Sequence, residues 1–138
     1  MDGRIVTCIW WFNVSTSEME KDGKFVTKRL NNAEQTLTAS SLQKMRQIGE
    51  TFAGKNCDLT FEWSDNKIYC SELIWKIYDR AVGIEIGKLE KLRDFDLTNE
   101  RVEKKMRERY GNKLPLDEIV ISAAAIFYSE LLTTVKYN

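Results

Sequence analysis

Histidine is missing from this sequence altogether. Its absence removes the side chain that most often serves as a general base near neutral pH. It also removes imidazole from any metal site. Cysteine is scarce, with three residues at Cys8, Cys57 and Cys70 in a chain of 138. An odd count in a chain this long does not read as a disulfide framework, although one Cys–Cys bridge stays open. There is no C-x-x-C pair and no histidine to complete a mixed site, so no metal and no other cofactor is expected. Proline occurs once, at Pro115, and glycine seven times. No flexible linker is visible, and the whole of 1–138 reads as one domain. Charge of one sign is also lacking, since Lys+Arg and Asp+Glu both total 21. That balance argues against a nucleic-acid partner. Long apolar runs are absent too. Ile5–Val14 is too short to cross a bilayer. As a secretory leader it is interrupted by Trp10, Trp11 and Asn13, and no small-residue cleavage site follows. It reads better as a buried strand.

What is present suffices for a core: 43% of residues are apolar, with four Trp, five Tyr and six Phe. Arg4–Val14 reads as a strand, and Asp22-Gly23 marks a turn before a second strand over Gly23–Leu30. Asn31–Leu37 reads as a loop. Thr38 or Ser40 suits the cap of a helix that buries Leu42, Met45, Ile48 and Phe52, with Gly54 at its end. Leu59, Phe61 and Trp63 alternate within Cys57–Ser64, which predicts a strand, and Asp65-Asn66 predicts a turn. The period becomes helical at Cys70, through Leu73, Ile74, Ile77, Tyr78 and Ala81, and Gly83 suits its stop. Thr98 suits the cap of a third, charge-rich helix closed by Gly111, with acidic residues early and basic residues late. Its charges read as a solvated face. Glu118–Ile121 reads as a strand, Ser122 as the cap of a short segment to Tyr128, and Leu131–Val135 as a last strand. The order predicts an α+β fold.

The stretch IYCSELIW places Cys70 directly after a turn and directly before a first helical turn. Backbone N–H groups at a helix start stabilise an anion, which favours the thiolate and makes a better nucleophile. Cys8, inside an apolar run, reads as a small buried hydrophobe, and Cys57 at a loop–strand junction fits either description.

The segment DLTFEWSDNKIYCSELIWKIYDRAVGIEIG resembles the nucleophile segment of the circularly permuted, NlpC-type papain-like amidases of the YaeF/YiiX group. The following KLEKLRDFDLTNERVEKKMRERYGNKLPLDEIVISAAAIFYSELLTTV is similar to the rest of that family's C-terminal half. The likeness runs from about Gly23 to Val135. It implies a papain-like fold with a central Cys-bearing helix packed on an antiparallel sheet. It also implies that Cys70 is the nucleophile and that its backbone N–H belongs to an oxyanion hole. Tyr69 matches the aromatic residue before the nucleophile and lines the site. Ser71 and Glu72 match the two residues after it, where first-turn capping explains them equally well. Asp58 matches an acidic residue that follows a tyrosine in the family; here Cys57 takes the tyrosine's place. Trp63 matches an aromatic position before the turn, where packing is the favoured role.

The family's histidine and its polar partner lie in strands upstream of the nucleophile. This chain has no histidine to match them, and none of Glu18, Glu20 or Glu62 is placed beside Cys70 by sequence. The resemblance therefore implies a cysteine amidase or hydrolase acting on a cell-wall peptide or another acyl amide. An incomplete N-terminus with weak or no turnover is the expectation. The alternative is a non-catalytic module that binds an amide or peptide. If a leader precedes the chain, a periplasmic or other extracytoplasmic place is implied. Loss of N-terminal strands would leave an open sheet edge, which predicts a homodimer or a strand swap.

Overall fold

Side chains cap the N-termini of three of the five α-helices in the computed structural model, which describes residues 26–137. Strand β1 (Val26–Leu30) is followed by a single-turn helix α1 (Ala33–Thr36) and then α2 (Ala39–Thr51). Thr38 caps α2, its hydroxyl accepting the Ser41 N–H at 3.2 Å. Two short strands, β2 (Asn56–Cys57) and β3 (Lys67–Ile68), lead into α3 (Cys70–Val82). Gly83 ends α3 in the left-handed conformation, φ 67°, which a side-chain-bearing residue adopts at a cost. Then come β4 (Glu90–Lys91), a 3₁₀ turn (Leu92–Asp94), α4 (Glu100–Tyr110), β5 (Ile119–Val120), α5 (Ala123–Phe127) and β6 (Leu132–Tyr137). Ser122 caps α5, accepting the Ala125 N–H at 3.0 Å.

The architecture is α+β, as the order of patterns predicts. The strands form three two-stranded sheets: β1–β6 and β4–β5 antiparallel, β2–β3 parallel. Helix α3 lies at the centre with two apolar faces. One carries Leu73 and Ile77 onto α2, where Phe52, Ile68 and Ile48 complete a cluster. The other carries Tyr69 and Trp75 onto Ile121, the residue after β5, together with Phe61, Trp63, Leu89, Ala125 and Ile126. Truncating a buried side chain such as Leu73 to alanine costs about 2–5 kcal/mol. Helix α4 buries no side chain. Its Glu103–Arg107 and Lys105–Glu108 pairs are the solvated face that its composition predicts.

Several expectations need correction. The alternating segment Cys57–Ser64 is a strand only at its first residue; Asp58 turns the chain instead, its carboxylate accepting both the N–H and the hydroxyl of Thr60 at 2.8 Å. Phe61 then takes φ 53°, which no strand residue does. Asn31–Leu37 is not all loop, because α1 forms within it. Asn99 rather than Thr98 caps α4, accepting the Arg101 N–H at 3.0 Å, while Thr98 bonds to Asp96. Leu42 stays 37% exposed, so α2 buries a narrower face than its spacing predicts. Cys8 and the Arg4–Val14 strand lie outside the described residues.

Candidate active site

Cys70 is the first residue of the 13-residue helix α3, with Tyr69 as its N-cap. It is half-buried and its thiol is free. The first-turn N–H groups of α3 surround this position and favour negative charge there.

The residues flanking Cys70 grip one point on another part of the chain. The Ile121 N–H donates to the Tyr69 hydroxyl at 3.1 Å, and the Ser71 hydroxyl donates to the Ile121 carbonyl at 2.8 Å. Ile121 is fully buried. Both its backbone groups are thus satisfied by side chains on either side of the cysteine, and the β5–α5 junction is held against the start of α3. Burial pushes the Tyr69 phenol well above its ordinary range, with the Glu72 and Asp58 charges adding to the rise. Tyr69 therefore stays protonated through neutral pH.

Beneath the first turn runs a buried polar stripe. Glu72 is fully buried and one of its oxygens accepts from the Tyr69 N–H at 3.5 Å, closing a long capping-box contact. Its other oxygen accepts from Lys76 Nζ at 2.6 Å. Lys76 is itself buried and spends its remaining donors on the Ser64 carbonyl at 2.6 Å and Asp65 Oδ1 at 2.9 Å. Asp65 in turn takes a two-pronged pair of 2.9 Å bonds from Arg80. Burial pushes the Glu72 carboxyl up to about 6, with the Lys76 ammonium working against the rise. The Arg80 guanidinium pulls Asp65 down to about 2, assisted by Lys76.

Asp58 and Trp63 come from the turn before β3. Asp58 is buried, its backbone N–H bonds the Ile68 carbonyl at 3.1 Å, and its Oδ2 has no hydrogen-bond partner among the described residues. Trp63 stacks edge-on against Trp75 at 5.5 Å, and Lys76 Nζ lies 4.8 Å from its ring centre. Its backbone N–H donates to Glu118 Oε1 at 2.9 Å. Phe61 packs edge-on against Tyr69 at 5.2 Å and carries Arg109 over its ring.

Residues 18–136 match the family described as "Permuted papain-like amidase enzyme, YaeF/YiiX". The chain belongs to this family. It is 42% identical over 113 residues to a protein of Escherichia coli called "Uncharacterized protein YiiX", a match covering 82% of this chain and 54% of that one. It also superposes, with a TM-score of 0.76 and 41% identity, on a crystal structure described as metalloprotein yiiX of Escherichia coli. That match covers 83% of this chain and 62% of the other. The chain thus spans about half the length of the curated relative it matches.

Within this amidase-family fold, the expected residues fall into two groups. Tyr69, Ser71 and Glu72 surround Cys70 in the first turn, and each has a defined partner that fixes that turn. Asp58 and Trp63 sit on the preceding turn. Trp63 packs, as its composition favours, but it also borders an open cleft with Arg93 and the segment Leu114–Ile119. Of the three glutamates weighed as bases, Glu18 and Glu20 lie outside the described residues. Lys76, Asp65 and Glu118 escape sequence reasoning. The signal for Lys76 is the Glu72–Lys76 spacing of four inside an otherwise apolar helix. Nothing local points to Glu118, whose partner is 55 residues away.

Proposed function

We propose that this chain is a cysteine amidase domain in which Cys70 is the nucleophile and the substrate is an amide of a peptide or a carboxylic acid. The observation that carries this reading is the place of Cys70: first residue of the central helix, half-buried, within the segment matched to an amidase family. The thiolate sulfur attacks the carbonyl carbon and forms an S–C bond. The C–N bond breaks, and the amine leaves with the proton that the thiol gave up. Water then cleaves the thioester, returning the thiol and releasing the acid. The Cys70 backbone N–H is the proposed donor to the carbonyl oxygen as it becomes negative. The Tyr69 and Ser71 bonds to Ile121 hold the first turn in place for this step, and Phe61 at φ 53° is a strained residue of the kind that gathers at such sites.

No imidazole exists in this chain to move the proton. General-base help contributes a factor of about 10²–10⁴, so turnover by the 138 residues alone is slow. Acylation by an activated substrate outruns hydrolysis, and the acyl-enzyme accumulates. Absence of histidine also favours a second reading, in which the domain binds an amide or peptide without cleaving it. The E. coli structure is described as a metalloprotein, but the described residues here do not gather a set that fits a metal. Among the described residues no three His, Cys, Asp or Glu side chains come together to hold one, and no step is drawn through a metal. No helix among the described residues is long and apolar enough to cross a membrane.

The test is intact-protein mass spectrometry after mixing with p-nitrophenyl acetate. A single acetyl adduct that maps to Cys70 and vanishes in Cys70→Ala supports the nucleophile. No adduct at Cys70, with a titratable affinity for simple amides, supports the binding module.

A further inference from the structure

Two of the three cysteines lie on neighbouring elements. Cys57 stands opposite Ile68 in the parallel β2–β3 ladder, so both side chains leave the same face. The Asp58 N–H donates to the Ile68 carbonyl at 3.1 Å and carries that ladder one step further. Tyr69 is still extended, at φ −112° and ψ 161°, so Cys70 returns to the face that Ile68 occupies. Helix α3 gives the same direction by a separate route. Leu73 and Ile77 follow Cys70 at three and seven residues, one stripe of a helix, and both belong to the cluster around Ile68 and Phe52. Cys57 and Cys70 are thus diagonal neighbours across Ile68. Each is half-buried, and neither is in a disulfide.

The spacing suits a bridge that forms and opens. Two residues of strand rise and one strand spacing set the two Cα atoms roughly 8 Å apart. A disulfide holds its Cα atoms within about 7 Å, so the closure needed is about an ångström. Strand β2 is two residues long, entered from Gly54 at φ 78° and left through the Asp58 turn, so few ladder bonds resist the shift. A bridge made this way carries strain, and strained bridges are the readily reduced ones. The two thiols are also unequal. First-turn N–H groups favour the Cys70 thiolate, whereas Cys57 sits in the ladder.

From this placement we propose that Cys57 and Cys70 form a reversible redox pair, in which a hydroperoxide oxidises Cys70 and Cys57 resolves it as a disulfide. The Cys70 sulfur attacks one peroxide oxygen; an S–O bond forms, the O–O bond breaks, and the other oxygen leaves as water or an alcohol. Sulfur is oxidised to the sulfenic acid and the peroxide is reduced. The Cys57 sulfur then attacks the Cys70 sulfur. An S–S bond forms, the S–O bond breaks, and the hydroxyl leaves with the Cys57 proton as water. While the bridge stands, no thiolate is left to attack an amide, and Cys70 is kept from the irreversible sulfinic acid. Cys57 stands where the family resemblance sets a tyrosine, so the pair belongs to this chain's own sequence. Its effect on turnover rests on Cys70 as the amidase nucleophile; the bridge itself does not.

The test treats the full chain, kept dilute, with hydrogen peroxide and maps its peptides by mass spectrometry without reduction. A linked peptide joining Cys57 to Cys70 is expected, two hydrogens lighter than its separate parts and parted by dithiothreitol. Acylation of Cys70 by p-nitrophenyl acetate is lost as the bridge forms and returns on reduction. In Cys57→Ser, Cys70 stops at the sulfenic acid, which dimedone captures, and without dimedone passes on to the sulfinic acid. A Cys57–Cys70 peptide in a chain that p-nitrophenyl acetate never acylates upholds the pair while the amidase reading fails. Cys70 joined instead to Cys8 or to a second copy, or passing to the sulfinic acid equally fast in parent and Cys57→Ser, overturns the pair.

Discussion

Glu72 is fully buried yet carries the capping contact on which the first turn of α3 depends. Its acidity has a consequence for stability. The unfolded carboxyl ionises near 4.5, whereas the folded one is pushed up to about 6 by burial. Between these values the folded chain keeps a proton that the unfolded chain has lost. The stabilisation linked to this group is therefore full below pH 4.5 and lost as pH rises to about 6. Asp65 runs the other way. Held down at about 2 by Arg80, it adds stability above its ordinary 3.8 that disappears as pH falls toward 2. In Glu72→Gln the upper window is expected to vanish while the lower one remains. Urea midpoints measured at several pH values from 2 to 7 would show it; parallel profiles for variant and parent across the upper window would refute it. Lys76→Met leaves Glu72 buried without its cation and is expected to cost about 3–5 kcal/mol near pH 7. Adding Glu72→Gln to the same chain should recover much of that loss. At Cys70, brief iodoacetamide treatment and peptide mapping are expected to show faster alkylation than at Cys57, which sits in the β2–β3 ladder rather than at a helix start. Equal rates would make Cys70 an ordinary thiol. The place of Cys70 was legible because the apolar period changes from two to 3.6 at that residue. The Lys76 network was not, because only folding brings Ser64 and Asp65 to it.

The grip on Ile121 makes the first turn of α3 and the start of α5 one element. Tyr69→Phe leaves the buried Ile121 N–H without its acceptor and is expected to cost about 1–3 kcal/mol in thermal or chemical unfolding. Ser71→Ala removes the donor to the Ile121 carbonyl and should cost about 1 kcal/mol. Helix α5 is fixed from its other side by Gly87. There a Cβ would stand 2.8 Å from the Ala125 carbonyl carbon and oxygen, and φ is +85°. Gly87→Ala combines backbone strain with a clash against backbone, so a loss of about 2 kcal/mol or more is expected. A variant as stable as the parent would mean that α5 moves freely. The caps at Thr38 and Ser122 and the stops at Gly83 and Gly111 were readable, because each acts on its own neighbours. The segment from Asp58 to Trp63 was misread. Its alternation matches a strand, but Asp58 bonds to Thr60 locally and its own burial turns the chain. Local hydrogen bonding by an aspartate outweighed periodicity over so short a run.

Across the whole molecule, element order was enough to read the α+β class, while strand pairing was not. Pairing joins β1 to β6, the first and last elements described, and no local pattern encodes a partner so distant. That ladder also bears on assembly. Among the described residues β1 and β6 pair only with each other, and Val26, Leu131 and Val135 around them are 44%, 42% and 49% exposed. A two-stranded ladder is marginal alone and its free edges are templates for another strand. Lys28, turned over the Phe127 ring at 4.3 Å, spends its charge on an aromatic face instead of guarding the edge. A second copy supplies a strand of matching sequence, and a two-fold arrangement lets each ladder extend the other. Light scattering across a concentration series is therefore expected to show a rise from 16.1 kDa toward twice that mass. Val135→Lys, which adds a charge on β6, should hold the protein at the lower mass with little change in thermal midpoint. A parent chain that stays monomeric at the highest concentration would mean that this ladder finds its covering within its own chain.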